Sequence, residues 1–123
     1  MLFRSKVVWK IQVPQPAKSG VLVAGDVVFF GEGNGKFDAA DAKSGKMLFS
    51  FDAPANVTNA GGAAAGPIAY LADGREFIVN AFGGNVPDRS VTANGGCLGG
   101  GHTCDNPVGD AFIAFALPRR GDQ

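Results

Sequence analysis

Apolar and polar residues alternate from Val8 to Val13 (Val8-Trp9-Lys10-Ile11-Gln12-Val13) and the run stops at Pro14, which has no N–H to give a ladder. This pattern predicts a strand over 7–13. Gly20 to Ala24 and Val27 to Gly31 are β-branched and aromatic runs separated by Gly25-Asp26, short enough for a hairpin turn. Asn34-Gly35 follows, a pair that tolerates the positive φ of tight turns. Lys36 to Asp41 then predicts a third strand, Ala42 to Gly45 a turn, and Lys46 to Asp52 a fourth strand. The stretch 53–65 is small, polar and Gly/Ala-rich and reads as a connection; no helix is expected anywhere in the chain. The order then restarts, with a strand over Gly66 to Leu71, a turn at Asp73-Gly74 and a strand over Glu76 to Ala81. A long loop, 83–109, precedes a last strand from Asp110 to Leu117, and the charged tail 119–123 is expected to be loose.

Trp9 and Phe49 take equivalent places in the strands that end successive groups, and they lie 40 residues apart. A period of roughly 40 to 50 residues with four strands per unit is that of a propeller blade. The expected fold class is therefore all-β, a partial β-propeller of about two four-stranded antiparallel blades. Residues 1–18 supply the closing strand of a preceding blade and a linker. Residues 19–52 supply a complete blade, and 53–123 a last blade of three strands with its long loop and tail. A closed propeller commonly completes its last blade with a strand from the other end of the chain, which is what a missing fourth strand implies.

Composition narrows the function. Lys+Arg and Asp+Glu both number 11, so there is no basic excess to neutralise phosphates, and nucleic acid is not an expected partner. Gly at 19 and Pro at 7 in 123 residues fit many turns between short strands. No apolar run approaches the ~20 residues of a membrane-crossing helix. The start, Met-Leu-Phe-Arg-Ser-Lys, is too quickly polar for a signal peptide, which neither shows nor excludes export. Because a strand pattern begins almost at once, Met1 need not be the natural start of the folded unit.

The stretch Ala39-Ala40-Asp41-Ala42-Lys43-Ser44-Gly45-Lys46-Met47-Leu48-Phe49 has readable physics. Asp41 can accept hydrogen bonds from turn amides, Gly45 can take a left-handed conformation, and the final aromatic can pack against a neighbouring blade. It resembles the blade motif of the quinoprotein dehydrogenases, Ala-x-Asp-x-x-Thr-Gly-Lys-x-x-Trp, with Ser44 in the place of Thr and Phe49 in the place of Trp; Trp9 keeps the usual aromatic of the preceding blade. Gly20 to Gly31 resembles that family's penultimate blade, and Gly66 to Tyr70 with Gly74 to Val79 the start of its last. Gly109 to Pro118 resembles the ending of its glucose-dehydrogenase-like branches. The resemblance covers nearly the whole chain except 87–108.

That resemblance implies an eight-bladed propeller with pyrroloquinoline quinone (PQQ) and Ca²⁺ on its axis, oxidising an alcohol, sugar or polyol by hydride transfer to the quinone. The catalytic Asp, the Ca²⁺ ligands and most quinone contacts belong to earlier blades, outside these residues. The resemblance places Phe82, Gly83, Gly84 and Asn85 near the cofactor, Phe82 standing for a Trp and Asn85 for a His or Trp. Lys18-Ser19-Gly20 occupies the matching loop of the previous blade. It also implies a periplasmic protein whose partners are the rest of the propeller and a small alcohol or sugar; membrane anchoring is not readable. The alternative is a non-enzymatic propeller with the same blade motif, acting as a protein-interaction scaffold like the lipoprotein of the outer-membrane β-barrel assembly machinery.

Other candidate sites have plainer readings. Gly31-Glu32-Gly33-Asn34-Gly35-Lys36 lacks the Ser or Thr and the helix that a phosphate loop needs, and reads as a hairpin turn. Cys97 and Cys104 flank His102; a disulfide in an oxidising compartment, two free thiols, and a metal site of at most three ligands are the open readings, the disulfide being preferred. Asp38, Asp41, Asp73 and Asp110 are read as turn aspartates bonded to local backbone. No paired carboxylate and no Ser/His/Asp set is visible. Asn56-Val57-Thr58 is a sequon on paper and reads as loop chemistry. An isolated chain is expected to expose a strand edge and an apolar blade face, and so to associate.

Overall fold

The computed structural model describes residues 5–13, 19–57, 60–63, 65–83 and 110–116. Its strands are β1 (Leu22–Ala24), β2 (Val27–Gly31), β3 (Lys36–Asp41), β4 (Met47–Asp52), β5 (Ile68–Ala72), β6 (Arg75–Gly83) and β7 (Asp110–Ala116), with one helical turn, α1 (Ala53–Asn56), after β4. They form two sheets, β1-β2-β3-β4 and β5-β6-β7, each an antiparallel meander in chain order. The all-β expectation of a four-stranded and a three-stranded blade is met.

Turn chemistry sets the registers. Asp73 and Gly74 both have positive φ, 51° and 72°, as a two-residue type I′ hairpin turn requires, and this fixes Ala72 opposite Arg75. On β3 the register against β4 shifts between Ala39 and Ala40.

Period-two alternation gives each sheet a face toward the other. Phe29, Phe37 and Ala39 of the first sheet meet Ile78 and Phe82 of the second in one buried cluster. Phe37, 1% exposed, stacks on Phe115 of β7 at 5.1 Å between ring centroids and meets Phe82 edge-on at 6.0 Å. The segment 60–63 stitches the sheets through backbone: Ala63 N–H donates to Glu32 O, Gly61 N–H to Phe82 O, and Gly83 N–H to Gly62 O.

Residues 7–13 have no ladder partner among the described residues and lay Trp9, Ile11 and Val13 toward Val28 and Phe30 of the first sheet. Two expectations are corrected. A helical turn does occur, at Ala53–Asn56: Asp52 caps it by accepting from Ala55 N–H, and Pro54 sits where a missing N–H costs nothing. Asp38 is not a turn residue but lies inside β3, 1% exposed.

The Phe37 contact leads to a prediction. Phe37→Ala should destabilise the chain by ~3–5 kcal/mol, read by urea unfolding followed in circular dichroism; a loss under ~1 kcal/mol would mean the two sheets do not pack through this ring.

Candidate functional site

The turn from Asp41 to Lys46 is built around one carboxylate. Asp41 Oδ1 accepts from Lys43 N–H (3.0 Å), Ser44 N–H (2.7 Å) and the Ser44 hydroxyl (2.9 Å). These donors, the Ser44 amide foremost, hold its carboxyl below the usual range. The turn brings Gly45 into the left-handed region, φ 73°, where its bare Cα lies flush under the Trp9 ring; a Cβ there would stand 2.8 Å from the indole. The Trp9 indole N–H donates to Ala42 O at 2.8 Å. Ring and donor are thus both satisfied by one turn. Trp9, Asp41 and Gly45 are brought together as one docking site, while Ala39 lies on the face toward the second sheet and Phe49 sits on the next layer, edge-on to Phe115 at 5.7 Å. Phe has no donor, so that contact is made by ring packing alone.

The end of β6 carries the residues that the resemblance assigns to the cofactor. A cavity of about 370 Å³ opens there, lined by Ala65, Ala81, Phe82, Gly83, Ala111 and Phe112 together with Asp110. The Phe82 ring is fully buried against Phe37, on the same face as Ile78, and so it belongs to the core between the sheets. Gly83 N–H is committed to Gly62 O. Gly84, Asn85, Cys97 and Cys104 lie outside the described residues. Ser19, in the matching loop of the first sheet, accepts from Gly31 N–H and donates to Gly31 O, which pins the start of β1 to the end of β2. Among the described residues, no group of three His, Cys, Asp or Glu side chains is placed to hold a metal ion.

Sequence reading missed a carboxyl pair. Asp38 lies opposite Phe30, on the face of the first sheet turned away from the second, and Glu32 just beyond β2 is 4% exposed. Burial, then a hydrogen bond to Asp38 and its charge, push the Glu32 carboxyl up to about 7; Asn34, whose amide donates to Glu32 Oε2 at 3.1 Å, and Lys36 act against the rise. Asp38 Oδ1 and Asn80 Oδ1 are buried without a hydrogen-bond partner among the described residues. The available signal was an Asp at the centre of an apolar strand, where alternation puts a packed side chain.

Two outcomes follow. Trp9 is the chain's one tryptophan, so its emission reports the docking site. Gly45→Ala should shift that emission to the red and cost more than ~1 kcal/mol, because it adds a clash to an unfavourable φ; unchanged emission would place Trp9 elsewhere. For Glu32, the folded-state pKa of about 7 lies above the ordinary 4.5, so its contribution is fully present below 4.5 and is lost as pH rises to 7. Glu32→Gln should therefore match the parent in melting temperature near pH 4 and exceed it by several degrees at pH 8. Parallel melting profiles across that range would show that the carboxyl is not buried beside Asp38.

No protein-family model matches the chain. Among curated proteins it is 38% identical over 120 residues to the quinoprotein ethanol dehydrogenase of Pseudomonas aeruginosa, covering 92% of this chain and 17% of that protein. It is 34% identical over 120 residues to the quinoprotein alcohol dehydrogenase PedE of Pseudomonas putida, covering 92% of this chain and 16% of that protein. The chain thus spans about a sixth of the length of these relatives. Among solved structures, a europium-containing methanol dehydrogenase superposes with a TM-score of 0.70 at 28% identity, over 89% of this chain and 21% of that one. Two meander sheets stacked face to face, a Trp-docking turn and these similarities agree: over most of its length the chain is homologous to one segment of the β-propeller of the quinoprotein alcohol dehydrogenases.

Proposed function

We propose that the chain is the C-terminal part of a PQQ-dependent, periplasmic dehydrogenase that oxidises an alcohol, sugar or polyol, with its catalytic residues on polypeptide outside these 123 residues. The single observation carrying this reading is the 38% identity to a quinoprotein ethanol dehydrogenase along almost the whole chain. Relatives named as alcohol dehydrogenases favour it over the interaction-scaffold alternative.

The described residues do not themselves fit a quinone or a Ca²⁺ ion. The cavity at the end of β6 is walled mainly by Ala, Gly and Phe, the Phe82 ring is turned into the core, and the Gly83 amide is already bonded. PQQ, when bound in the parent enzyme with Ca²⁺, would accept the hydride. The share of this chain is mechanical. Its stacked sheets hold the ends of β2 and β6 in register through the 60–63 segment and close that side of the propeller.

Two measurements test this. Incubated with PQQ, Ca²⁺, ethanol and a redox dye, the isolated chain should give no dye reduction above background; turnover from the chain alone would contradict the placement of the chemistry. Grafted in place of the corresponding segment of the Pseudomonas aeruginosa relative, it should preserve ethanol-dependent dye reduction. A folded graft that no longer binds PQQ would count against the reading.

A further inference from the structure

Glu32 joins two parts of the fold, the buried carboxyl pair and the 60–63 strap that ties the sheets together. Asp38 stands opposite Phe30, and Glu32, two residues beyond Phe30, falls on the same face as its diagonal neighbour. Both carboxyls are out of water, at 4% and 1% exposure. The groups that act on Glu32 are Asp38 and Lys36 of β3 and Asn34 of the turn. On β4, Ser50 lies opposite Asp38, and Asp52, opposite Lys36, caps α1. Ala60, Gly61, Gly62 and Ala63 bring no titratable side chain. The backbone of Glu32 holds the strap: its carbonyl accepts from Ala63 N–H at 3.0 Å, and Ala63 packs so closely on Gly31 that a Cβ there has no room. The strap in turn bonds the end of β6, Gly61 N–H to Phe82 O and Gly83 N–H to Gly62 O.

We propose that the proton shared by Glu32 and Asp38 is a latch: while it is held the strap stays closed on the first sheet, and when it leaves to solvent the strap and the end of β6 are released. With the proton in place, the Glu32 hydroxyl donates to the Asp38 carboxylate and the pair carries one negative charge. Without it, two negative charges share a site closed to water, where Asp38 Oδ1 already lacks a hydrogen-bond partner among the described residues. Asp38 is fixed inside β3, whereas Glu32 lies just past the end of β2 and is the member that can swing out. Its side chain is enclosed, so it reaches water only if the 32–35 turn moves, and the carbonyl that holds Ala63 moves with it. Phe82 O and Gly83 N–H then lose their partners, on the wall of the cavity of about 370 Å³ at the end of β6. The direction follows from the raised Glu32 carboxyl: the latch is shut below the ordinary 4.5 and opens as pH rises through about 7. None of this depends on the dehydrogenase reading.

Nuclear Overhauser effects on the full 123-residue chain, recorded near pH 5 and near pH 8, test it. The reporter is the cross-peak between the Ala63 methyl and the Gly31 Hα protons; the control is that between the Trp9 ring and the Gly45 Hα protons, at the other end of the first sheet. In the parent chain the reporter should fall at least about twofold from the lower pH to the higher while the control holds. Glu32→Gln and Asp38→Asn each leave at most one charge in the site, so either variant should keep both cross-peaks at both pH values. A parent reporter that survives near pH 8, parent cross-peaks that vanish together, or a folded variant that still loses the reporter alone would each overturn the proposal.

Discussion

Phe37 is where the two sheets become one structure. A meander of three or four short strands has two faces, and alone it can bury neither. At Phe37 the first sheet reaches across to Phe82 and Phe115 and removes its ring almost completely from water. Around it Ala39, Ala53, Ala60 and Ala63 let backbones approach, and Phe29 and Ile78 fill the remaining space. Burying such a ring contributes ~1.5–3 kcal/mol, a large share of what a chain of this size has to spare. The sheets are held as layers by faces, not by shared strands, and that is the physical content of a blade.

The same logic is repeated one layer earlier with different chemistry. Trp9 brings the segment 5–13 onto the first sheet, but its anchor is a turn rather than a sheet face. The turn is rigid because Asp41 gathers three donors, and its surface is flat because position 45 has no side chain. Phe49 occupies the equivalent place without an indole donor and packs by its ring, edge-on to Phe115 and stacked with Phe51. One chain thus shows two versions of an inter-layer contact, one closed by a hydrogen bond and one by ring packing.

Most strands were legible because short apolar runs were bounded by Gly25-Asp26, Asn34-Gly35 and Asp73-Gly74, so β2 and β3 fall where their residues predict them. Residues 7–13 alternate as a strand should, yet a ladder needs a neighbour, and composition cannot supply one. The turn at Ala53–Asn56 carried a readable signal, Asp52 followed by Pro54, that was outweighed by the small-residue character of the stretch. Phe82 was assigned by likeness to the cofactor region; counting by twos from Ile78 would have put it on the core face. An Asp inside an apolar strand marked Asp38, but its pairing with Glu32 was out of reach of sequence alone, since the two residues meet only when β2 and β3 fold back on each other.

Radial stacking of separate sheets is the claim on which the account stands, and inter-residue nuclear Overhauser effects on the folded chain test it most directly. Ring protons of Phe37 and Phe115, whose centroids lie 5.1 Å apart, should give strong cross-peaks, with backbone cross-peaks confined to neighbours within each meander. Missing ring cross-peaks, together with backbone cross-peaks joining β4 to β7 in one continuous ladder, would replace stacked blades with a closed barrel and contradict the account.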